Sequence, residues 1–329
     1  APTVFELHRK AMNAPATDAW YLSVPGGFYR ALVASNVGGY GASYAASYVQ
    51  PPGVMQATLP LVTTGKRTLD LRTDPLPIIP RDAAEDAAVD RLTAVLDGNT
   101  PPYDRDDTFP HADPEDEQAI RAYLGDIHGD PTYQSYFPQS FGIGLRQPDG
   151  RLGSTADAIT IYHAERILDR FAPALMVVTL LDIDVCHNDF NGYLRNQQLA
   201  DAAVSHLWSY IQNHPVLRDE TAMLVLPEHG RHLFFNGNNP DSLGRSGLDH
   251  GQGDDGDRDV WMLALGPDVK PGVVAAPTGI SQSGRTSGRY ETIDAIMTGM
   301  TMLGHGERMA TELGGLGMRP GLVIQEVMA

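Results

Sequence analysis

Three short clusters in the C-terminal half of the sequence combine histidine with carboxylates. They read LLDIDVCHND, LVLPEHGRH and GLDHGQGDDGDRDVW. The first offers Asp182, Asp184 and His187, the second Glu228, His229 and His232, and the third Asp249 and His250. Mixed imidazole and carboxylate donors suit zinc, manganese or iron better than calcium, which prefers oxygen-only sites. Two ions about 4 Å apart would clamp the attacking and leaving oxygens of a phosphoryl or sulfuryl transfer. Arg231 stands inside the second cluster. It could neutralise an oxyanion through a two-pronged contact, or serve as a structural ion pair. Cys186 lies within the first cluster, either as a soft ligand or, more simply, as a small buried residue after a strand. His8, His111, His128, His163, His206 and His214 are read as ordinary solvent-facing or hydrogen-bonded histidines.

Such clusters need elements to position them, and two of the three directly follow apolar, strand-like runs. Ala174 to Leu181 (ALMVVTLL) reads as a buried strand, as do Thr221 to Leu226 and Val260 to Leu265. Between the first two, Leu194 to Gln212 carries Leu199, Ala203, Leu207 and Ile211 at spacings of four, the signature of a long amphipathic helix. Thr155 to Phe171 is helical with a stripe of Ile159, Ile167, Leu168 and Phe171. Glu291 to Leu303 is a further helix, stopped by Gly304.

Nearer the start, Thr3 to Met12 reads as a short helix and Ala19 to Val24 as a short strand. Gly26 to Gly53 reads as loop with short helical pieces. Arg81 to Leu96 is a helix, capped by Asp82 with Glu85 as its partner. Asn99 to Pro114 is a Pro- and Asp-rich surface loop, and Asp113-Pro114 opens a helix to Leu124. Strands alternating with long helices imply an α/β fold: a mostly parallel central sheet with helices on both faces. In such a sheet, ligands bind at loops beyond the carboxyl ends of the strands. The expectation is one domain over residues 1–329, with long loops at about 26–75, 97–150 and 232–258. Loops as long as Gly230 to Asp259 are usually functional or disordered, and this one carries histidine.

The formal charge of −17 argues against binding a phosphate backbone, which needs a basic face. Only three of the 24 basic residues are lysine: Lys10, Lys66 and Lys270. No run of about 18 or more apolar residues is present, so no transmembrane helix is expected. The first residues, APTVFELHRKAM, lack the apolar core of a signal peptide, which fits a cytoplasmic protein or an exported one already trimmed. A single cysteine excludes an internal disulfide.

The three clusters, in this order, resemble the alkaline phosphatase superfamily, which includes phosphomonoesterases, phosphodiesterases, sulfatases and phosphoglycerate mutases. LLDIDVCHNDF and the helix after it look like the superfamily's Asp with a His a few residues on. LVLPEHGR looks like its strand ending in Asp-His-Gly, with Glu228 in place of Asp. Asp249 to Gly251 (DHG) looks like its late histidine, and TIDAIMTGMTMLG resembles a helix that closes many members. The likeness covers roughly residues 172 to 304 and is nearest to sulfatase-like bacterial proteins carrying Glu-His-Gly-Arg. It implies that Asp184, His187 and His250 surround one metal, with Asp182 the competing first aspartate, and that Glu228 and His229 serve a second. It also implies zinc first, with manganese, iron or calcium as alternatives, one or two ions per chain, and a periplasmic or secreted location.

The superfamily's pattern departs from this chain at the front. Its members begin with a strand ending in a metal-binding Asp, then a nucleophilic Thr or Ser, and only then a segment similar to PTVFELHRKAM. Three expectations follow. The segment with the nucleophile sits in a longer precursor or a second chain; the chain is a member that keeps the fold for binding or assembly, including as a homo-oligomer; or the nucleophile is internal, with Ser43 in GGYGASYAAS the best substitute. The leading functional expectation is a metal-dependent hydrolase of small phosphate or sulfate esters. The alternative is a non-catalytic structural or assembly protein on the same fold. A third reading, calcium held by the acidic run Asp254 to Asp259, lacks the spacing of the twelve-residue calcium loop and gives way to a solvated acidic loop.

Overall fold

A computed structural model of the chain describes residues 1–23, 32–35, 37–49, 116, 118, 119, 122, 123, 126, 156–187, 189–240, 246–251, 255–283 and 288–329. The expected helix over Arg81 to Leu96, the loop Asn99 to Pro114 and most of the long loops at 26–75 and 97–150 lie outside these residues. The chain divides into two compact units, Pro2–Asp182 and Ile183–Ala329.

The first unit is built on a three-stranded parallel sheet in the order β2-β1-β3, with β1 Ala19–Ser23, β2 Ser47–Val49 and β3 Leu175–Thr179. Every residue of β1 is buried, so both faces of the strand are covered. Alternation sends its side chains two ways. Tyr21 and Ala19 pack with Phe5, Val33, Ala46 and Tyr48, while the Trp20 ring stacks on Phe171 at 5.1 Å and meets Tyr123 edge-on at 6.3 Å. Phe5 comes from helix α1, Val4–Met12, whose start is a complete capping box: Thr3 accepts from the Glu6 N–H, and Glu6 accepts from the Thr3 N–H. The Glu6 carboxylate, fully buried, also accepts from Ser35 and Gly41 and so fixes the following loop. Helix α2, Ala156–Phe171, covers the sheet with Ile161, Ile167 and Leu168 among its buried residues.

β3 and α2 are fastened where they meet. The buried Asp157 carboxylate accepts from the Leu181 and Asp182 N–H groups at 2.8 and 3.2 Å, and the Asp182 carboxylate accepts in return from the Asp157 N–H at 3.0 Å.

The second unit opens with the 3-10 turn Asp182–His187, which crosses from the first unit, and helix α3, Phe190–Asn213. α3 starts four residues before the apolar periodicity does, because Asp189 caps it by accepting from the Gly192 N–H. β4 Met223–Val225 and β7 Leu263–Leu265 form an antiparallel pair and are only partly buried. The parallel expectation therefore holds for β1, β2 and β3 but not for this pair. The stretch Gly230 to Asp259, read as loop, contains an antiparallel hairpin, β5 Phe235–Pro240 with β6 Ser246–Leu248, and one helical turn, α4 Asp255–Arg258. α5, Thr292–Met302, ends at Gly304 with φ of 79°, a conformation that favours glycine, and α6, Gly306–Gly315, follows. Buried Asp294 at the start of α5 accepts from the Leu322 N–H at 2.7 Å and ties down the C-terminal segment.

Candidate metal centre

All three clusters contribute residues to the second unit, and two glycines let their backbones approach. A Cβ on Gly247 would lie 1.9 Å from the Cys186 carbonyl oxygen, so only glycine lets β6 run against the turn that carries His187. A Cβ on Gly230 would lie 1.8 Å from the Gly256 carbonyl oxygen, so the segment bearing His229 and Arg231 packs equally tightly on α4. The Gly230 N–H donates to the Asp257 carbonyl at 2.8 Å, and the His232 N–H to the Asp249 carbonyl at 2.9 Å. The Asp257 side chain is buried. It accepts from the Gly251 N–H at 2.9 Å and faces His232 at 3.5 Å, so it joins the segments of the second and third clusters.

Asp184, His187 and His250 converge there. Their candidate ligand atoms all lie within 4.8 Å of one another. His187 Nε2 is 3.3 Å from the Asp184 carboxylate and 3.2 Å from His250 Nε2. His187 Nδ1 lies 2.9 Å from the Asp249 carboxylate. A carboxylate can only accept, so Nδ1 donates to Asp249, and an ion on the other side of the ring would take the Nε2 lone pair. A carboxylate behind an imidazole in this way fixes its tautomer and raises its basicity as a ligand. The Asp249 carboxyl lies below the usual carboxylate range, first because the His250 N–H donates to it at 2.9 Å and further because of His187. Burial would raise the Asp184 carboxyl, but hydrogen bonding to Arg231, with its charge and those of His187 and His250, outweighs burial and holds it low. His250 is held below the ordinary histidine value by burial and by His229, Arg231 and His187 around it. An ionised carboxylate and neutral imidazoles are the forms that ligate a divalent ion.

Arg231 is ion-paired to Asp184 through Nη2, and its Nη1 donates to His187 Nε2 at 3.3 Å. Its side chain is only 12% exposed against 52% for Asp184, so the guanidinium is set into the surface beside the ligand atoms. His229 stacks its ring on His250 at 3.9 Å, with Nδ1 donating to the Gly230 carbonyl at 2.7 Å.

Of the expected ligands, the structure brings Asp184, His187 and His250 into one set; Glu228 and His229, expected at a second ion, lie outside it. The Glu228 side chain is 85% exposed and stands 4.0 Å from His229 Nε2. Among the described residues no second group of three such ligands is found. Asp182, the competing aspartate, is engaged with Asp157. Cys186 is buried and outside the ligand set, and burial pushes its thiol up. Ser43 lies exposed on the 3-10 turn Gly41–Tyr44 of the first unit. Of the remaining histidines, His8 pairs with Asp18 at 2.8 Å, buried His163 meets the Tyr123 hydroxyl at 2.7 Å, and His214 Nδ1 accepts from the Val216 and Leu217 N–H groups. His111 and His128 lie outside the described residues.

Two contributors were harder to read. Asp249 was visible as a carboxylate beside His250, but its service to His187 depends on pairing between segments distant in sequence. Asp257 sits in an acidic run whose composition signals solvent, although the side chain is buried. Among the described residues no helix is long and apolar enough to cross a membrane. The chain matches no family model, no curated protein and no solved structure.

Proposed function

We propose that the chain is a metal-dependent hydrolase of phosphate or sulfate esters, centred on Asp184, His187 and His250. The observation that carries this reading is the convergence of one carboxylate and two imidazoles, one imidazole backed by Asp249, with a guanidinium alongside. Zinc fits this donor set first, with manganese and iron as alternatives; calcium fits least, because two of the three donors are nitrogen. A divalent ion bound there supplies Lewis acidity to an ester oxygen and makes water nucleophilic near neutral pH.

The chain's own groups would do the rest. Asp184, His187 and His250 bind, and Asp249 holds the His187 ring in its ligating tautomer. Arg231 carries donors suited to a tetrahedral oxyanion and would exchange some of its contact with Asp184 for contact with substrate. His229 Nδ1 is committed to the Gly230 carbonyl, so proton transfer at this residue would occur at Nε2.

Elemental mass spectrometry after mild dialysis, together with hydrolysis of nitrophenyl phosphate and nitrophenyl sulfate, tests the reading. The expected result is bound metal, and turnover that is lost with chelator and in His187→Ala. Bound metal without turnover of either ester or of a diester would sink it. A second reading, a non-catalytic structural or assembly protein, is favoured by Glu228 and His229 having, among the described residues, no second group of three ligands to belong to. It predicts at most one ion per chain and no turnover.

A further inference from the structure

Directly after the segment bearing Arg231 and His232, three consecutive large apolar side chains face solvent. Leu233, Phe234 and Phe235 are 76, 77 and 63% exposed, whereas Trp20 in the first unit is fully buried. Scattered exposed apolar residues are ordinary, but a contiguous run beside polar groups marks a place where something binds.

The position of the run gives it meaning. Phe235 opens β5 opposite Leu248, and the two residues after Leu248 are Asp249 and His250. Just before the run, the His232 N–H donates to the Asp249 carbonyl. The Phe235 ring meets Phe190 edge-on at 5.4 Å, and Phe190 lies 6.0 Å from Tyr193. Both rings belong to the first turn of α3, which follows the turn carrying His187. The apolar ledge is therefore continuous with both elements that supply the histidine ligands.

We propose that this ledge receives the leaving group of the ester, and that the substrate class is an aryl or comparably bulky apolar ester of a tetrahedral oxyanion. The anionic head group would meet Asp184, His187, His250 and Arg231 through the ion, which rests on the functional reading above. The apolar remainder lies over Leu233 and Phe234. A small ester fits this surface better than a second copy of the chain, because it brings one or two negative charges, held at the ion, where self-association brings a second formal −17.

Inert oxyanions test the ledge apart from catalysis. Phenylphosphonate and methylphosphonate, and benzenesulfonate and methanesulfonate, are titrated calorimetrically into the metal-loaded full chain and into its L233S/F234S variant. Both substituted side chains are exposed, so the fold tolerates the change. The phenyl member of at least one pair is expected to bind about tenfold tighter, a ratio typical of one apolar contact. In the variant that ratio falls to near one, with metal content unchanged. Equal affinities in the original chain, no binding of any probe, or a ratio that survives the substitution overturns the proposal. A dimer seen by sedimentation that the substitution dissociates, with the phenyl preference intact, also overturns it, because a second copy then occupies the ledge. Phenyl-selective binding with no hydrolysis of phenyl phosphate or phenyl sulfate removes the hydrolase reading and leaves the ledge. Hydrolysis of phenyl and methyl esters with equal kcat/KM removes the ledge and leaves the hydrolase.

Discussion

At the residue scale the decisive contact is the one behind His187. Asp249 meets His187 at Nδ1, on the side of the ring away from Asp184 and His250, and so sets which nitrogen of His187 carries the proton. Asp249→Ala should leave all three ligands in place and weaken metal binding by about 10- to 100-fold, the usual cost of losing such a partner. Asp249→Asn, whose side-chain oxygen still accepts from Nδ1, should recover most of the affinity. Competition with a metallochromic indicator measures both, and equal affinities for the alanine variant and the original chain would deny Asp249 this role. Arg231 differs in kind. It sits against the ligand atoms themselves, so Arg231→Met removes a cation that neutralises Asp184. Metal affinity should rise severalfold in that variant while ester turnover falls. A parallel fall in both would mean that the guanidinium only holds the segment in place.

At the scale of elements, close backbone approach and one buried carboxylate decide the geometry. Gly247→Ala places a methyl group on the Cys186 carbonyl, so β6 or the histidine turn must move. The expected cost is about 1–3 kcal/mol, as for other overpacked sites, together with loss of metal affinity, measured by urea unfolding and indicator competition. Unchanged affinity would show that the two backbones are free to separate. In the first unit, Asp157 joins α2 to β3. Burial, with Asp182 close by, pushes its carboxyl up to about 7, against an ordinary 3.8. A folded-state value raised in this way favours the protonated form. Its stabilisation is therefore fully present below pH 4 and is lost as pH rises to about 7, at a slope of up to ~1.4 kcal/mol per unit. Asp157→Asn keeps an acceptor for the Leu181 and Asp182 N–H groups and removes the charge. Its unfolding midpoint should vary less over that window, and at pH 8 it should equal or exceed that of the original chain; an unaltered pH slope would place the titration elsewhere.

Legibility in the sequence followed the same division. α1 could be read as a short helix, and the structure adds the Thr3–Glu6 capping box that starts it. α2 and α3 could be read because their apolar spacing is regular, and β3 because its apolar run is continuous, although its residues are half-buried and not buried. β2 could not: it lies in GGYGASYAASYV, where small residues blur any period, and it is a strand because Ser47 to Val49 pair with fully buried β1. The hairpin was hidden for a related reason. Phe235 to Pro240 is rich in Asn and Gly, residues depleted in strands, and pairing with β6 overrides that preference. The direction of the β4 and β7 pairing was hidden as well, since an apolar run looks the same whichever way its neighbour points. For the site, residue type and order were enough to nominate Asp184, His187 and His250. They were not enough to separate Asp184 from Asp182, or to tell that Glu228 faces solvent, because both outcomes depend on backbone contacts with other segments.

For the whole molecule, the distribution of ligands between the units predicts where binding energy is felt. Asp184, His187 and His250, with Asp249 and Arg231, all belong to Ile183–Ala329. A ligand that binds only the folded form stabilises it by about 2.7 kcal/mol at a hundredfold excess over its Kd. That gain goes to whatever unfolds together with the site. The segment from Gly230 to His232 is joined to the residues before His250 by the His232 N–H bond to the Asp249 carbonyl, and an ion on Asp184, His187 and His250 would add a further tie to the turn at His187, so these segments should open locally more often without metal. Hydrogen exchange with zinc and then with chelator should show protection changing at residues 184–187, 229–232 and 247–251, while β1 and β3 stay constant. Equal changes across both units would mean that they unfold as one cooperative body. No change anywhere, at zinc concentrations that saturate an indicator assay, would mean that the bound ion sits away from these residues.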